Sequence, residues 1–138
     1  VKGKTVVDEF MEKTHREGVQ HVAFHAVELC EAVEYMRSQG QEFLSIPEQY
    51  YKTIGDRVPG HRENVEHLQK NRILIDGNNA GYLLQIFTVK EPQVDPFFFE
   101  FITRKEFQGF GEGNVKSLLE TIEIDQFKRG YLKEEITV

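Results

Sequence analysis

Two side chains in this sequence stand where chemistry is possible. Glu100 lies inside Phe97-Phe98-Phe99-Glu100-Phe101-Ile102, an otherwise wholly apolar run. A lone carboxylate buried there is costly unless a donor or a cation meets it. His21 lies in Val19-Gln20-His21-Val22-Ala23-Phe24-His25, a β-rich stretch after Gly18. An imidazole and a carboxylate facing each other across a curled sheet suit a divalent transition metal. A plainer reading of Glu100 stays open: a salt bridge to Arg104 or Lys105 just beyond the run, or a side chain turned to water. Strand alternation puts His21, Ala23 and His25 on one face. His25 is therefore a possible inward group, but a solvent-facing residue at a strand end is the commoner case. His15, His61 and His67 stand in polar stretches and read as surface residues. No H-E-x-x-H spacing occurs.

Other residues offer binding rather than reaction. Gln85 and Phe87 share one face of the stretch 82–88, and Leu84 and Ile86 take the other. A glutamine in an apolar strand needs partners, or it orients a substrate hydroxyl or carbonyl. Phe110 sits in Gly109-Phe110-Gly111-Glu112-Gly113, read as a mobile glycine-rich loop. There it is either a lid or a packed aromatic. The loop does not cradle phosphate, because it lacks a Lys-Ser/Thr ending and Glu112 repels anions. Cys30 falls on the apolar face of a helix and reads as packing. Glu31 with Glu34, and Glu134 with Glu135, read as solvated surface.

These residues must be positioned by one domain, since the chain has 138 residues. Lys and Arg number 17 against 23 Asp and Glu, a formal charge of −6. That balance argues against a nucleic-acid partner, which needs a basic surface. One cysteine excludes a disulfide framework and a Cys-rich zinc site. No apolar run reaches the ~18 residues of a membrane span, so no membrane role is expected. No targeting segment is visible, and cytoplasm is the expected location, or mitochondria if a preceding segment directs it there.

The elements follow from periodicity. Residues 1–17 form a lead-in, an edge strand or a short helix, and residues 18–138 form the module. Strands are expected at 19–25, 42–46, 73–76, 82–88 and 97–103. An amphipathic helix is expected at 27–39, with Leu29, Cys30, Val33 and Met36 at helical spacing and Gly40 behind it. Short helices fit 47–55 and 63–70, and residues 77–81 signal a hairpin. Asn114 reads as the N-cap of a closing helix that ends before Gly130. The fold class is α+β. Its kernel is a βαβββ module, an open half-barrel whose edges call for a partner.

The sequence also resembles a known family. Gly18-Val19-Gln20-His21-Val22-Ala23, Phe43-Leu44-Ser45-Ile46-Pro47 with Tyr50-Tyr51, Tyr82-Leu83-Leu84-Gln85-Ile86-Phe87-Thr88, Phe97 to Lys105 and Gly109-Phe110-Gly111-Glu112-Gly113-Asn114 occur in order. This series is similar to the C-terminal part of the 4-hydroxyphenylpyruvate dioxygenases, over residues 4–130. The resemblance implies a vicinal-oxygen-chelate fold of paired βαβββ modules holding non-haem Fe(II) between two His and one carboxylate. His21 then matches the second His ligand and Glu100 the carboxylate, while the first His belongs to an earlier module. Gln20, Gln85, Phe87, Phe110, Asn114 and Val115 match positions around the substrate. The substrate implied is an aromatic 2-oxo acid, with O2 as co-substrate. The reaction is oxidative decarboxylation and hydroxylation to homogentisate, in tyrosine and phenylalanine catabolism. The intact protein is expected to be a homo-oligomer, and the fragment alone to bind metal weakly and lack turnover.

Two positions depart from the family. Val6 replaces a substrate-facing Gln, and Val115 replaces a Phe. An aliphatic residue at 115 resembles the hydroxymandelate synthases, which hydroxylate the side chain of the same substrate. Two further classes stay open: a homodimer pooling His21 and Glu100 from each copy, like glyoxalase-type enzymes, and a non-catalytic module of the same shape.

Overall fold

The computed structural model describes residues 6–89, 96–115 and 117. The elements are α1 (Val6–Thr14), β1 (His21–His25), α2 (Leu29–Ser38), α3 (Glu48–Lys52), α4 (Ile54–Arg57), α5 (Val65–Asn71), β2 (Leu74–Gly77), β3 (Tyr82–Phe87) and β4 (Phe98–Lys105). The four strands form one sheet in the order β1-β4-β3-β2. β1 runs parallel to β4, and the other pairs are antiparallel. This is the α+β, βαβββ arrangement that the periodicity implies. No helix among the described residues is long and apolar enough to cross a membrane.

In the described part of the lead-in, Val6–Thr14 is helical rather than an edge strand. The strand expected at 42–46 shrinks to one bridge, Phe43 to Thr88. Only Phe43 there is buried, and the flank of β3 beside which a fifth strand would lie already carries β2. β2 and β3 are joined by a tight turn in which the Asn78 Oδ1 accepts from the Ala80 and Gly81 amides at 2.8 and 3.3 Å. This is the local side-chain bonding that favours Asn in turns.

The core lies on one side of the sheet. Leu29 and Val33 of α2 meet Ile75, Leu84 and Ile86, with Tyr50, Ile54 and Leu68 filling in from the short helices. α5 starts with Asn64, whose side chain accepts from the His67 amide at 3.0 Å, a regular N-cap. It stops at Arg72, which takes a left-handed φ of 59°. α2 and α5 are tied by a polar clamp. Arg37 donates to the Asn71 carbonyl at 2.7 Å, while Asn71 and His67 both contact the Glu34 carboxylate at 3.2 and 3.0 Å. Glu34 is therefore a helix-to-helix partner, not merely a solvated charge.

A second polar pin closes the far end of the sheet. Glu63 accepts from Lys105 at 2.6 Å and from the Tyr82 hydroxyl at 2.8 Å. Burial opposes the charge on Glu63, but these donors outweigh it and hold the carboxyl below its ordinary range. A depressed native pKa adds stability above the unfolded-state value, and that stability is lost as pH falls through the native value. Glu63→Gln should therefore lower the urea midpoint near neutral pH, and the gap to wild type should close below about pH 4. Urea titrations across that range check this; a gap that stays constant with pH contradicts it.

Candidate metal and substrate site

The other face of the sheet carries the polar residues. Register places His21 beside Phe98, Ala23 beside Glu100 and Phe87 beside Glu100 across the next ladder. Gln85 lies opposite Ile102 and Leu74, and Leu83 opposite Arg104 and Asp76. Paired residues point to the same side. His21, Phe98, Glu100, Phe87, Gln85 and Asp76 thus share one face.

His21 and Glu100 converge. The His21 Nε2 lies 3.4 Å from the Glu100 Oε2. A direct charge-assisted N–H···O bond would be about 2.7–2.9 Å, so this contact is long for an ion pair. It is nearer the ~3 Å chord expected between two neighbouring ligands of one metal, each about 2.1 Å from it. The remaining atoms of the pair are already partnered. Gln85 Nε2 donates to the Glu100 Oε1 at 3.0 Å, and the His21 Nδ1 lies 3.1 Å from the Gln20 Oε1. A proton on Nδ1 shared with Gln20 leaves a lone pair on Nε2, the form that binds a metal.

Glu100 is buried, 6% exposed. Burial raises its pKa, against the opposing influence of the Arg104 charge and the Gln85 hydrogen bond. The salt-bridge reading of Glu100 does not hold. Arg104 donates to the Phe107 and Gly109 carbonyls, and Lys105 is taken by Glu63. Among the described residues no group of three or more His, Cys, Asp or Glu could hold a metal ion. His25 is exposed.

Amides and aromatics complete the face. Asn114 Nδ2 donates to the Gln85 Oε1 at 2.8 Å, and its own Oδ1 lies 2.5 Å from the Tyr50 hydroxyl. Asn114 is thus no N-cap. The helical turn begins at Glu112, and the Asn114 side chain faces inward, 1% exposed. Most of the expected closing helix lies outside the described residues, as do Glu134 and Glu135. Phe98 stacks on the His21 ring with centroids 5.0 Å apart and planes at 11°, and it meets Phe87 edge-on at 5.8 Å. Phe98 was not among the expected site residues, although its parity with Glu100 places it on the same face. Tyr50 was missed as well, because nothing local says that its hydroxyl reaches position 114.

The glycine-rich loop is anchored, not loose. Gly113 N–H donates to the Asp76 carboxylate at 2.9 Å, and Arg104 grips the loop carbonyls. Phe110 is 75% exposed, with the Arg104 guanidinium 5.4 Å from its ring centre. Val115 is exposed too. Two surface hollows of about 340 and 260 Å³ lie beside Tyr35 and beside Phe10; neither is lined by His21 or Glu100. The site face is open to solvent on the β1 side.

The chain is 47% identical over 131 residues to a 4-hydroxyphenylpyruvate dioxygenase of Legionella pneumophila, a match covering 93% of this chain and 37% of the relative. The chain is similar to the C-terminal part of 4-hydroxyphenylpyruvate dioxygenase. Hemolysin VllY of Vibrio vulnificus is 44% identical over 131 residues, covering 94% of this chain and 36% of the relative. The structure of a mutant 4-hydroxymandelate synthase from Streptomyces coelicolor matches with a TM-score of 0.71 at 33% identity, over 91% of this chain and 35% of that one. No family model matches. The fold is therefore of the vicinal-oxygen-chelate type, as the resemblance implies. The chain spans little more than a third of the length of the curated relatives it matches.

Gly111 tests how tightly the loop is fitted to the site. It has φ +83°, and a Cβ there would lie 1.7 Å from the Gln85 Oε1. Gly111→Ala combines backbone strain with a clash against a buried amide, and should cost about 1–3 kcal/mol. Thermal denaturation measures this; an unchanged midpoint would mean that the loop does not rest on Gln85.

Proposed function

We propose that this chain is the carboxylate-bearing module of an Fe(II)-dependent dioxygenase that converts 4-hydroxyphenylpyruvate to homogentisate. The observation that carries this reading is the convergence of the His21 Nε2 and the Glu100 Oε2, 3.4 Å apart on one face. The two donors fit a borderline transition metal, and the 2-His-1-carboxylate set is the usual holder of non-haem iron. In this reading His21 is the second His, and the first His comes from another βαβββ module.

That module also answers an exposure. Among the described residues β1 pairs on one side alone, with β4, and all five of its residues are exposed. Phe24 and Phe99, on the core side of the sheet, remain 47% and 39% exposed. An open, apolar edge strand is a pairing surface. A second module along β1 would cover that edge and turn the half-barrel into a closed site that excludes water.

Bound Fe(II) would supply a redox-active Lewis acid with coordination positions left for a 2-oxo acid and O2. The chain's own residues do the rest. Glu100 and His21 would hold the metal, and Gln85 holds Glu100. Phe87 and Phe98 wall the site with apolar rings, which keeps water from the reacting centre. Phe110 and Arg104 stand at the exposed rim, where an aromatic ring with a cation over it can close on an anionic aromatic acid. In this reading Gln20, paired with His21, and Val115, on the turn after the loop, would bear on substrate pose.

The test uses this chain joined to the remaining length of its relatives. With Fe(II), O2 and 4-hydroxyphenylpyruvate, chromatography should show homogentisate. His21→Ala and Glu100→Gln should each lower turnover by at least about a hundredfold, beyond the effect of outer-shell changes. Formation of 4-hydroxymandelate would assign the synthase reaction instead. Turnover indifferent to both substitutions would reject the site.

A further inference from the structure

We propose that Tyr50 is a positioning residue for Glu100: its hydroxyl sets the orientation of the Asn114 and Gln85 amides, and through them leaves the Glu100 Oε2 free for a metal. This rests on the metal-site reading above and adds to it a residue from the helical excursion.

The argument is one of direction. An Asn or Gln amide has two nearly identical orientations, and only its hydrogen-bond partners choose between them. A row of such amides needs an end that cannot reverse. Here that end is the backbone of β2. The Ile75 N–H, which can only donate, points to the Tyr50 hydroxyl oxygen at 2.9 Å. Tyr50 then has one proton to give. Two acceptors are in reach: the Ile75 carbonyl at 3.0 Å and the Asn114 Oδ1 at 2.5 Å. The Ile75 carbonyl has a second donor, Arg57 Nη1, at 3.4 Å. The proton therefore goes to the nearer acceptor, Asn114.

From there each step is forced. With its oxygen turned to Tyr50, Asn114 presents its NH2 to the Gln85 Oε1 at 2.8 Å. Gln85 must then present its NH2 to the Glu100 Oε1 at 3.0 Å. That bond occupies one carboxylate oxygen and leaves the other facing His21. A reversed Gln85 would set its carbonyl oxygen against the carboxylate, a repulsion that burial makes worse. Tyr50 is fully buried, and Gln85 and Asn114 are 2% and 1% exposed, so water does not supply the missing direction. Gly111 rests against the Gln85 amide and bars it from swinging aside. The Arg57 guanidinium, 4.6 Å from the centre of the Tyr50 ring, holds that ring in place.

NMR of the 15N-labelled chain tests this without turnover. In Tyr50→Phe the ring stays and the hydroxyl goes. The Gln85 and Asn114 side-chain NH2 protons should exchange with solvent about tenfold faster, while the backbone amides of Leu83 and Ile86 keep their protection. Asn114→Asp is the second variant. It keeps an acceptor for Tyr50 but removes the donor to Gln85, so the Gln85 amide should turn round and its NH2 signals should shift. Added Co(II) should broaden the Ala23 amide in wild type. Asn114→Asp should need about tenfold more Co(II) for the same effect, with Leu83 and Ile86 protection unchanged. Unaltered Gln85 signals in both variants overturn the role of Tyr50 and leave the metal site standing. Co(II) broadening that survives Glu100→Gln unchanged overturns the metal site, and this proposal with it.

Discussion

Glu100 is an ionisable group held where ionisation is resisted. Its strand is flanked by phenylalanines, its side chain is almost wholly buried, and its pKa is raised by that burial. Such a group is destabilising unless a partner offsets its desolvation. Among the described residues the fold offsets part of that cost through one donor, the Gln85 amide. The other oxygen faces an imidazole at a distance too long for a strong bond. A buried carboxylate with one oxygen committed and the other facing an imidazole at 3.4 Å is under-satisfied by the described residues. In the proposed function a cation between the two side chains would remove the shortfall, and the amide row behind Glu100 would keep that oxygen available.

Asp76 gives the contrast. It lies on the same face and is also buried, 9% exposed. Its carboxylate accepts from the backbone amides of Gly77 and Gly113, both at 2.9 Å. Two amide donors satisfy it in place and tie β2 to the glycine-rich loop. A Cβ on Gly113 would come within 2.4 Å of that carboxylate, which is why the loop needs glycine there. Two buried carboxylates on one sheet face thus have opposite roles. Asp76 is satisfied by main chain and holds structure; Glu100 is partnered by a side-chain amide and keeps one oxygen in reserve.

Much of this was legible in the sequence, for a definite reason. Strand parity is fixed by the backbone, so His21, Glu100, Gln85 and Phe87 could be put on faces without knowing the sheet. The parallel pairing of β1 with β4 then brought the first two together. Parity was equally able to place Phe98 on the face, since it is two residues from Glu100. What local pattern does not encode is contact across large sequence separation. The Tyr50–Asn114 bond joins residues 64 positions apart, and neither residue type announces it. Asn114 looked like an N-cap because asparagine beside a helix start usually is one, and here a long-range partner took precedence over the local one. The strand expected around Phe43 failed likewise: one buried aromatic made the bridge, while the flank of β3 it would have needed was already taken by β2.

The same long-range bonds explain why a short helical excursion interrupts a compact βαβββ kernel. α3 and α4 pack on β2, the outermost strand, whose outward backbone groups would otherwise stand unpaired. Tyr50 meets the N–H and Arg57 the C=O of Ile75 there. The excursion thus caps a sheet edge and, with the same hydroxyl, reaches the amide row behind Glu100. One buried tyrosine serves both ends because β2 is at once the edge of the sheet and the wall behind the loop. The opposite edge, β1, has no such cover among the described residues, and it carries His21. Among the described residues the sheet is closed behind Glu100 and open beside His21, the side on which the proposed second module would dock.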